Sequence, residues 1–290
     1  MEERSQSDAL HGPHSPPKRC MRQALCRFWT SFLYRRRFYH AMAPSVDSEV
    51  IGSFRRLARE PLPYAPDLVV EKWRSTASGL TVLWAQFDNP LLNAYITVAS
   101  EIFTDSGVPH TLEHLVFLGS QQYPYKGVLD SLANRAFAQG TNAWTANDHT
   151  AYTLTTAGSD GFLRMLPVYC DHVFFPTLTD AGFVTEVYHI NGKLEDAGVV
   201  YSEMQGRENS SADLMELKTQ RMLYPRSSAY RSETGGLMSA LRVLTIDEIR
   251  QYHAKYYAPH NAAIVLCGPL DREKLFATPV SYTHLRAHET

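Results

Sequence analysis

"VPHTLEHLVF", residues 108–117, sets two histidines four positions apart, with a glutamate between them, inside an apolar run. If the run is helical, positions i and i+4 lie on one face, so His110 and His114 project their imidazoles side by side. Glu113 points toward the same side. Pro109 fits the first turn of such a helix, and Asp105-Ser106-Gly107 supplies the turn ahead of it. Two neutral imidazole nitrogens at about 2.0–2.1 Å from zinc make half of a tetrahedral site, and a catalytic zinc adds one more protein ligand and a water. The competing reading is a core helix whose histidines are incidental, and five letters alone leave both open.

Outward from this stretch, the chain alternates strand and helix signals. Upstream, "DLVVEKW" (67–73) and "GLTVLWAQF" (79–87) are β-prone runs joined by a Ser-Thr-Ala-Ser-Gly segment, which predicts a hairpin. "LLNAYITVAS" (91–100) predicts a third strand. Downstream, "GVLDSLANRAFAQG" (127–140) places Val128, Leu129, Leu132, Ala136 and Phe137 at helical spacing, closed by Gly140. "TNAWTANDHTAYTLTT" (141–156) has the composition of two strands turning at Asn147-Asp148. Residues 159–174 read as a helix, and another is expected from about Asp196 through Leu223, weakened in its middle by Gly206 and the Ser210-Ser211 pair. Near the end, Thr245 with Glu248 three residues on forms a capping-box pattern, and "AAIVLCG" (262–268) a short buried strand. Adjacent hairpins mixed with helices predict an α+β fold, a mixed and mostly antiparallel sheet packed with helices, over a regularly alternating parallel sheet.

Composition narrows the class. The chain has 290 residues at 44% hydrophobic content, enough for a full core, and 28 basic against 30 acidic residues, so no global field favours nucleic acid. Between Ala9 and Val46, however, the sequence is basic (Lys18, Arg19, Arg22, Arg27, Arg35, Arg36, Arg37) and free of acids. Residues 1–45 therefore read as a separate leader: a transit-like segment, residues upstream of a natural start at Met42, or a basic arm. Residues 46–277 read as the folded domain that carries the histidine pair, and 278–290 read as a non-native tail because "PVSYTHLRAHET" breaks the preceding pattern and resembles a translated sequencing adaptor. Cys20, Cys26, Cys170 and Cys267 form no CxxC pair, which points to a reducing compartment, the cytoplasm or mitochondrial matrix, and away from secretion. No apolar run approaches the roughly 20 residues of a membrane span.

A third ligand must come from elsewhere, and Glu203 in "GVVYSEMQGREN" (198–209) is the candidate. Asp196, seven residues earlier and two turns away on the expected helix, is placed to hold a ligand histidine in its tautomer. Glu208 lies on another face, and Glu195 reads as a surface carboxylate. His-x-x-Glu-His followed by "LVFLGS", then "GTNAWTANDHTAYTL", the acidic "VVYSEMQGREN" segment and "LTIDEIRQYHAKYYAPHNAAIVLCG" resembles the first domain of the pitrilysin-type inverzincins, the group of insulin-degrading enzyme and presequence protease, with most likeness to the presequence-protease branch. The resemblance covers about residues 60–276.

What the resemblance implies is a zinc-dependent endopeptidase acting on peptides or unfolded polypeptides. His110, His114 and Glu203 would bind one Zn²⁺, and Glu113 would activate the water. Asn142, Ala143 and Trp144 would lie on a substrate-facing edge strand, Asn142 holding a substrate carbonyl and Trp144 walling a side-chain pocket or serving as a core aromatic. Relatives often carry glutamate where Asp196 stands. The family also builds a closed chamber from repeated homologous domains, whose second half supplies an arginine and a tyrosine to the substrate. Those C-terminal domains are expected in a longer enzyme and their groups match no residue here. The alternative is a non-catalytic peptide-binding or chamber-forming subunit of the same fold, and in such subunits the motif is usually degraded.

Overall fold

A computed structural model describes residues 49–277; the leader 1–45 and the tail 278–290 lie outside the described residues. In chain order the elements are β1 (Val50–Ile51), β2 (Phe54–Leu62), β3 (Ala65–Ser75), β4 (Thr81–Gln86), β5 (Leu91–Ala99), α1 (Val108–Val116), α2 (Val128–Arg135), β6 (Asn142–Thr145), β7 (His149–Ala157) and α3 (Ser159–Phe174). There follow α4 (Asp180–Glu186), β8 (His189–Ile190), β9 (Asp196–Ala197), α5 (Val199–Glu208), α6 (Ser211–Leu223), α7 (Met238–Leu241), α8 (Ile246–Tyr256), β10 (Ala262–Cys267) and α9 (Arg272–Ala277).

The architecture is α+β with a mostly antiparallel sheet. Eight strands run in the order β1-β2-β3-β4-β10-β5-β7-β6. Only the pairing of β10 with β4 is parallel. The predicted hairpin is β3–β4, in register at Glu71 with Trp84. β10 is inserted between β4 and β5 and buries Ala263 on one face as well as Ala262, Ile264 and Leu266 on the other, which is why "AAIVLC" is apolar nearly throughout. Alternation on β5 buries Leu92, Ala94, Ile96 and Val98, and α3 covers this part of the sheet through Phe162, Leu166, Tyr169 and Val173. Glu71 is buried in the sheet but satisfied by the Trp73 indole at 3.0 Å and the Arg272 guanidinium at 2.9 Å.

Two sequence expectations change. The helix expected through Gly140 stops at Arg135, because Phe137 adopts φ 54°, a left-handed conformation that ends the ladder, and its ring is 77% exposed instead of lying on the apolar face. The long helix expected from Asp196 is three elements. Asp196 sits on β9, Gly198 at φ 138° breaks the path before α5, and Asn209 and Ser210 separate α5 from α6. The expected cap of α8 is present: Thr245 Oγ1 accepts from Glu248 N at 3.4 Å, and Glu248 Oε2 accepts from Thr245 N at 2.9 Å.

Candidate metal centre

The site begins at α1. Gly107 caps this helix at φ 75°, and a Cβ there would lie 2.8 Å from Gly235 O and from the Gly236 Cα. Only a glycine permits that approach, which brings the Gly235 carbonyl to 3.4 Å from His110 Nδ1. Val108, Leu112, Leu115 and Val116 are buried, and α1 packs against α8, β6, α4 and α5. The ring-bearing face is therefore set by the core. The imidazoles of His110 and His114 stand 4.8 Å apart between centroids, at 87° to one another.

Glu203 reaches them from α5, anchored by buried Val200, Tyr201 and Met204. Its Oε2 lies 3.6 Å from His110 Nε2 and 3.5 Å from His114 Nε2, and the two Nε2 atoms are 3.2 Å apart. Three ligands on a tetrahedral ion, with bonds of about 2.0–2.2 Å, stand about 3.3–3.6 Å from one another. The observed triangle has nearly those sides, and the donor set, two imidazoles and one carboxylate, suits zinc chemistry. Among the described residues this is the one group of three or more His, Cys, Asp or Glu side chains able to share an ion.

Glu113 stands outside the triangle. Its Oε2 accepts from Thr145 Oγ1 at 2.6 Å, so the edge strand β6 holds the carboxylate. Burial raises the Glu113 pKa, while the Thr145 hydroxyl and the two imidazoles oppose the shift. Burial disfavours the charged form of His110, but the adjacent Glu203 carboxylate, with Glu113 and the Gly235 carbonyl, lifts its pKa above the ordinary value. The two imidazoles hold the Glu203 carboxyl well below the usual carboxylate range. The shifts of His110 and Glu203 are the two sides of one acid–imidazole pairing.

Strand β6 pairs with β7 on one side and forms the end of the sheet. Period-two alternation turns Thr145 toward Glu113 and leaves Asn142 and Trp144 exposed, with Ala143 half-buried against the core. The Trp144 indole donates to His149 Nε2 at 3.1 Å, and His149 Nδ1 pairs with Asp148 Oδ1 at 2.6 Å. Asn142 keeps its side chain near Gln139 O, at 3.4 Å.

Asp196 is not beside a ligand imidazole. On β9 its carboxylate accepts from Tyr188 at 2.8 Å, Tyr201 at 2.8 Å and Arg242 at 2.6 Å. Those donors lower its pKa to about 2. The carboxylate that does face a ligand ring is Glu186, whose Oε2 lies 3.8 Å from His114 Nδ1. Sequence reasoning missed Glu186 because it ends a short helix with no periodic signal. Thr145 was within reach of it, being two positions from Ala143 on a strand and so on the same face.

Residues 100–218 match the family described as "Insulinase (Peptidase family M16)", and residues 244–282 match "Peptidase M16 inactive domain". An uncharacterized protein of Caenorhabditis elegans is 47% identical over 204 residues, covering 70% of this chain and 20% of that protein. The mitochondrial presequence protease of Candida albicans is 30% identical over 247 residues, covering 81% of this chain and 23% of the relative. The crystal structure of pitrilysin superposes with a TM-score of 0.63 at 16% identity, over 81% of this chain and 24% of that one, which is a likeness of fold. The chain spans about a fifth of the length of the curated relatives it matches. With its fold, its histidine pair and its matched residues taken together, this chain belongs to peptidase family M16, the insulinase and pitrilysin family.

Proposed function

We propose that this chain carries the catalytic centre of a zinc-dependent endopeptidase that hydrolyses peptides or unfolded polypeptides. The observation that supports the reading most is the convergence of His110 Nε2, His114 Nε2 and Glu203 Oε2 on a triangle of tetrahedral dimensions. A zinc ion held there would supply Lewis acidity, polarising a scissile carbonyl and acidifying a water. Glu113 takes the water's proton on its carboxylate, which Thr145 steers while burial keeps its basicity above that of a free glutamate. An extended substrate adds to the outer edge of β6, where main-chain hydrogen bonds set its register and select unfolded polypeptide over folded protein. Asn142 holds a substrate carbonyl and Trp144 walls a side-chain pocket on that edge.

The complete enzyme is a longer chain in this reading, with homologous domains closing a chamber over β6. Its compartment is the mitochondrial matrix or the cytoplasm; the mitochondrial presequence proteases among its relatives and the basic leader support the former. No described helix is long and apolar enough to cross a membrane.

Metal analysis of the purified chain tests the centre directly. One zinc per chain is expected, lost in His110→Ala and in Glu203→Ala. Glu113→Gln should retain the ion while peptide hydrolysis by the full-length enzyme falls by about 10²–10⁴-fold. Full zinc occupancy in His110→Ala would remove the ligand assignment, and undiminished hydrolysis by Glu113→Gln would remove the base.

A further inference from the structure

An imidazole that gives Nε2 to an ion carries its proton on Nδ1, and the acceptor of that proton fixes both tautomer and ring orientation. For His110 the acceptor is the Gly235 carbonyl. For His114 the group at Nδ1 is Glu186, at 3.8 Å. Glu186 is the last residue of α4 and the only buried side chain of that seven-residue helix, at 7% exposure. Phe183 packs its ring partly against the core from the same helix, but an acid buried at the helix's end is not explained by apolar packing. Its Oε1 accepts from Lys126 Nζ at 3.0 Å, but Lys126 is 66% exposed and could be met by a carboxylate at the surface. What burial adds is the position beside His114, in surroundings where a charged acceptor acts strongly on an N–H donor.

Resting on the metal-centre reading above, we propose that Glu186 is a positioning residue: its carboxylate stands 3.8 Å from His114 Nδ1, and with an ion at Nε2 it closes to accept the Nδ1 proton and holds Nε2 toward His110 and Glu203, while Lys126 pins the far oxygen of the carboxylate. The role expected of Asp196, which sits on β9, belongs to the residue that ends α4. Lys126 lies in the 120–127 turn and Glu186 at the end of α4, so two surface segments are tied to the geometry of one ligand.

The test is zinc affinity, measured on the purified chain by competition with a chromophoric chelator. Glu186→Ala should weaken binding by about 10–100-fold, and Glu186→Gln, which keeps a carbonyl acceptor, by less. The visible absorption of the cobalt-loaded protein should shift in Glu186→Ala, and the thermal midpoint measured in excess chelator should not follow the loss of affinity. Glu186→Ala binding zinc as tightly as the parent, while His114→Ala binds none, would overturn the proposal and leave the metal centre standing. His114→Ala binding zinc as tightly as the parent would instead remove the centre itself. If Glu186→Ala does not fold, the zinc-loaded parent still decides: a His114 Nδ1 proton protected from solvent exchange is expected, and one exchanging as fast as in free imidazole would overturn the assignment.

Discussion

The two arms of the candidate metal centre are built differently. α1 carries both histidines on a helix whose other faces are buried by the sheet and by α8, and its entry is fixed by the close approach of Gly107 to Gly236. α5 carries Glu203 with a side chain 48% exposed, and the helix that follows it, α6, buries none of its residues. The imidazole pair is thus held by the core of the domain. The carboxylate is held by three apolar anchors and by the polar cluster of Tyr188, Asp196, Tyr201 and Arg242 at the base of α5.

The sharpest way to break that contrast is to damage each arm in turn. Leu112 is fully buried on the face of α1 opposite the two histidines, so Leu112→Ala should cost about 2–5 kcal/mol of global stability, read as a lowered denaturant midpoint. Tyr201→Phe removes a buried hydroxyl that donates to Asp196 and contacts Arg242, and should cost about 1 kcal/mol in the same experiment. If Tyr201→Phe costs as much as Leu112→Ala, the two arms are equally part of the core.

Asp196→Asn probes the polar anchor through pH. The folded carboxyl has a pKa of about 2, below its ordinary 3.8, because Arg242 and two tyrosine hydroxyls favour the charged form. A depressed folded pKa contributes stability above the unfolded value and loses it as pH falls through the folded one. Thermal midpoints of parent and variant should therefore differ at pH 5 and converge between about pH 4 and pH 2. A gap that stays constant across that window would mean that the ion pair with Arg242 carries none of the anchoring.

The same contrast marks what was legible in the sequence. The α1 motif was readable because helical spacing alone brings His110 and His114 together, and Gly107 and Pro109 announce the helix start locally. Strands β3, β4, β5, β6, β7 and β10 were readable from alternation and turn residues for the same reason. The α5 arm was only half readable. Glu203 stands out in the acidic "VVYSEMQGREN" segment, but a helical path reaching back to Asp196 is ended by Gly198, whose φ of 138° is open to glycine. Of the two weak points in the middle of the expected helix, Gly206 lies within α5, whereas the Ser210-Ser211 pair marks the break, which falls at Asn209-Ser210, where the polar residues favour a cap. Glu186 was invisible because its importance lies in a tertiary contact from α4 to α1, and nothing in "DAGFVTE" repeats with a period.

The smallest expected effect falls on α6, and it tests the exposed arm most directly. Leu214, Met215, Met222 and Leu223 are all more than half exposed, so their apolar surface gains little from folding of this domain. Met222→Ser should accordingly change stability by no more than about 0.5 kcal/mol in either direction, measured by chemical denaturation of the purified chain. The same substitution in buried Met204, one helix earlier, removes a side chain that packs over Gly235, and with it part of the support for both Glu203 and the carbonyl facing His110. Equal costs at the two positions would show that α6 is covered in solution, and the distinction between a core-held pair of ligands and a surface-held third would no longer describe the molecule.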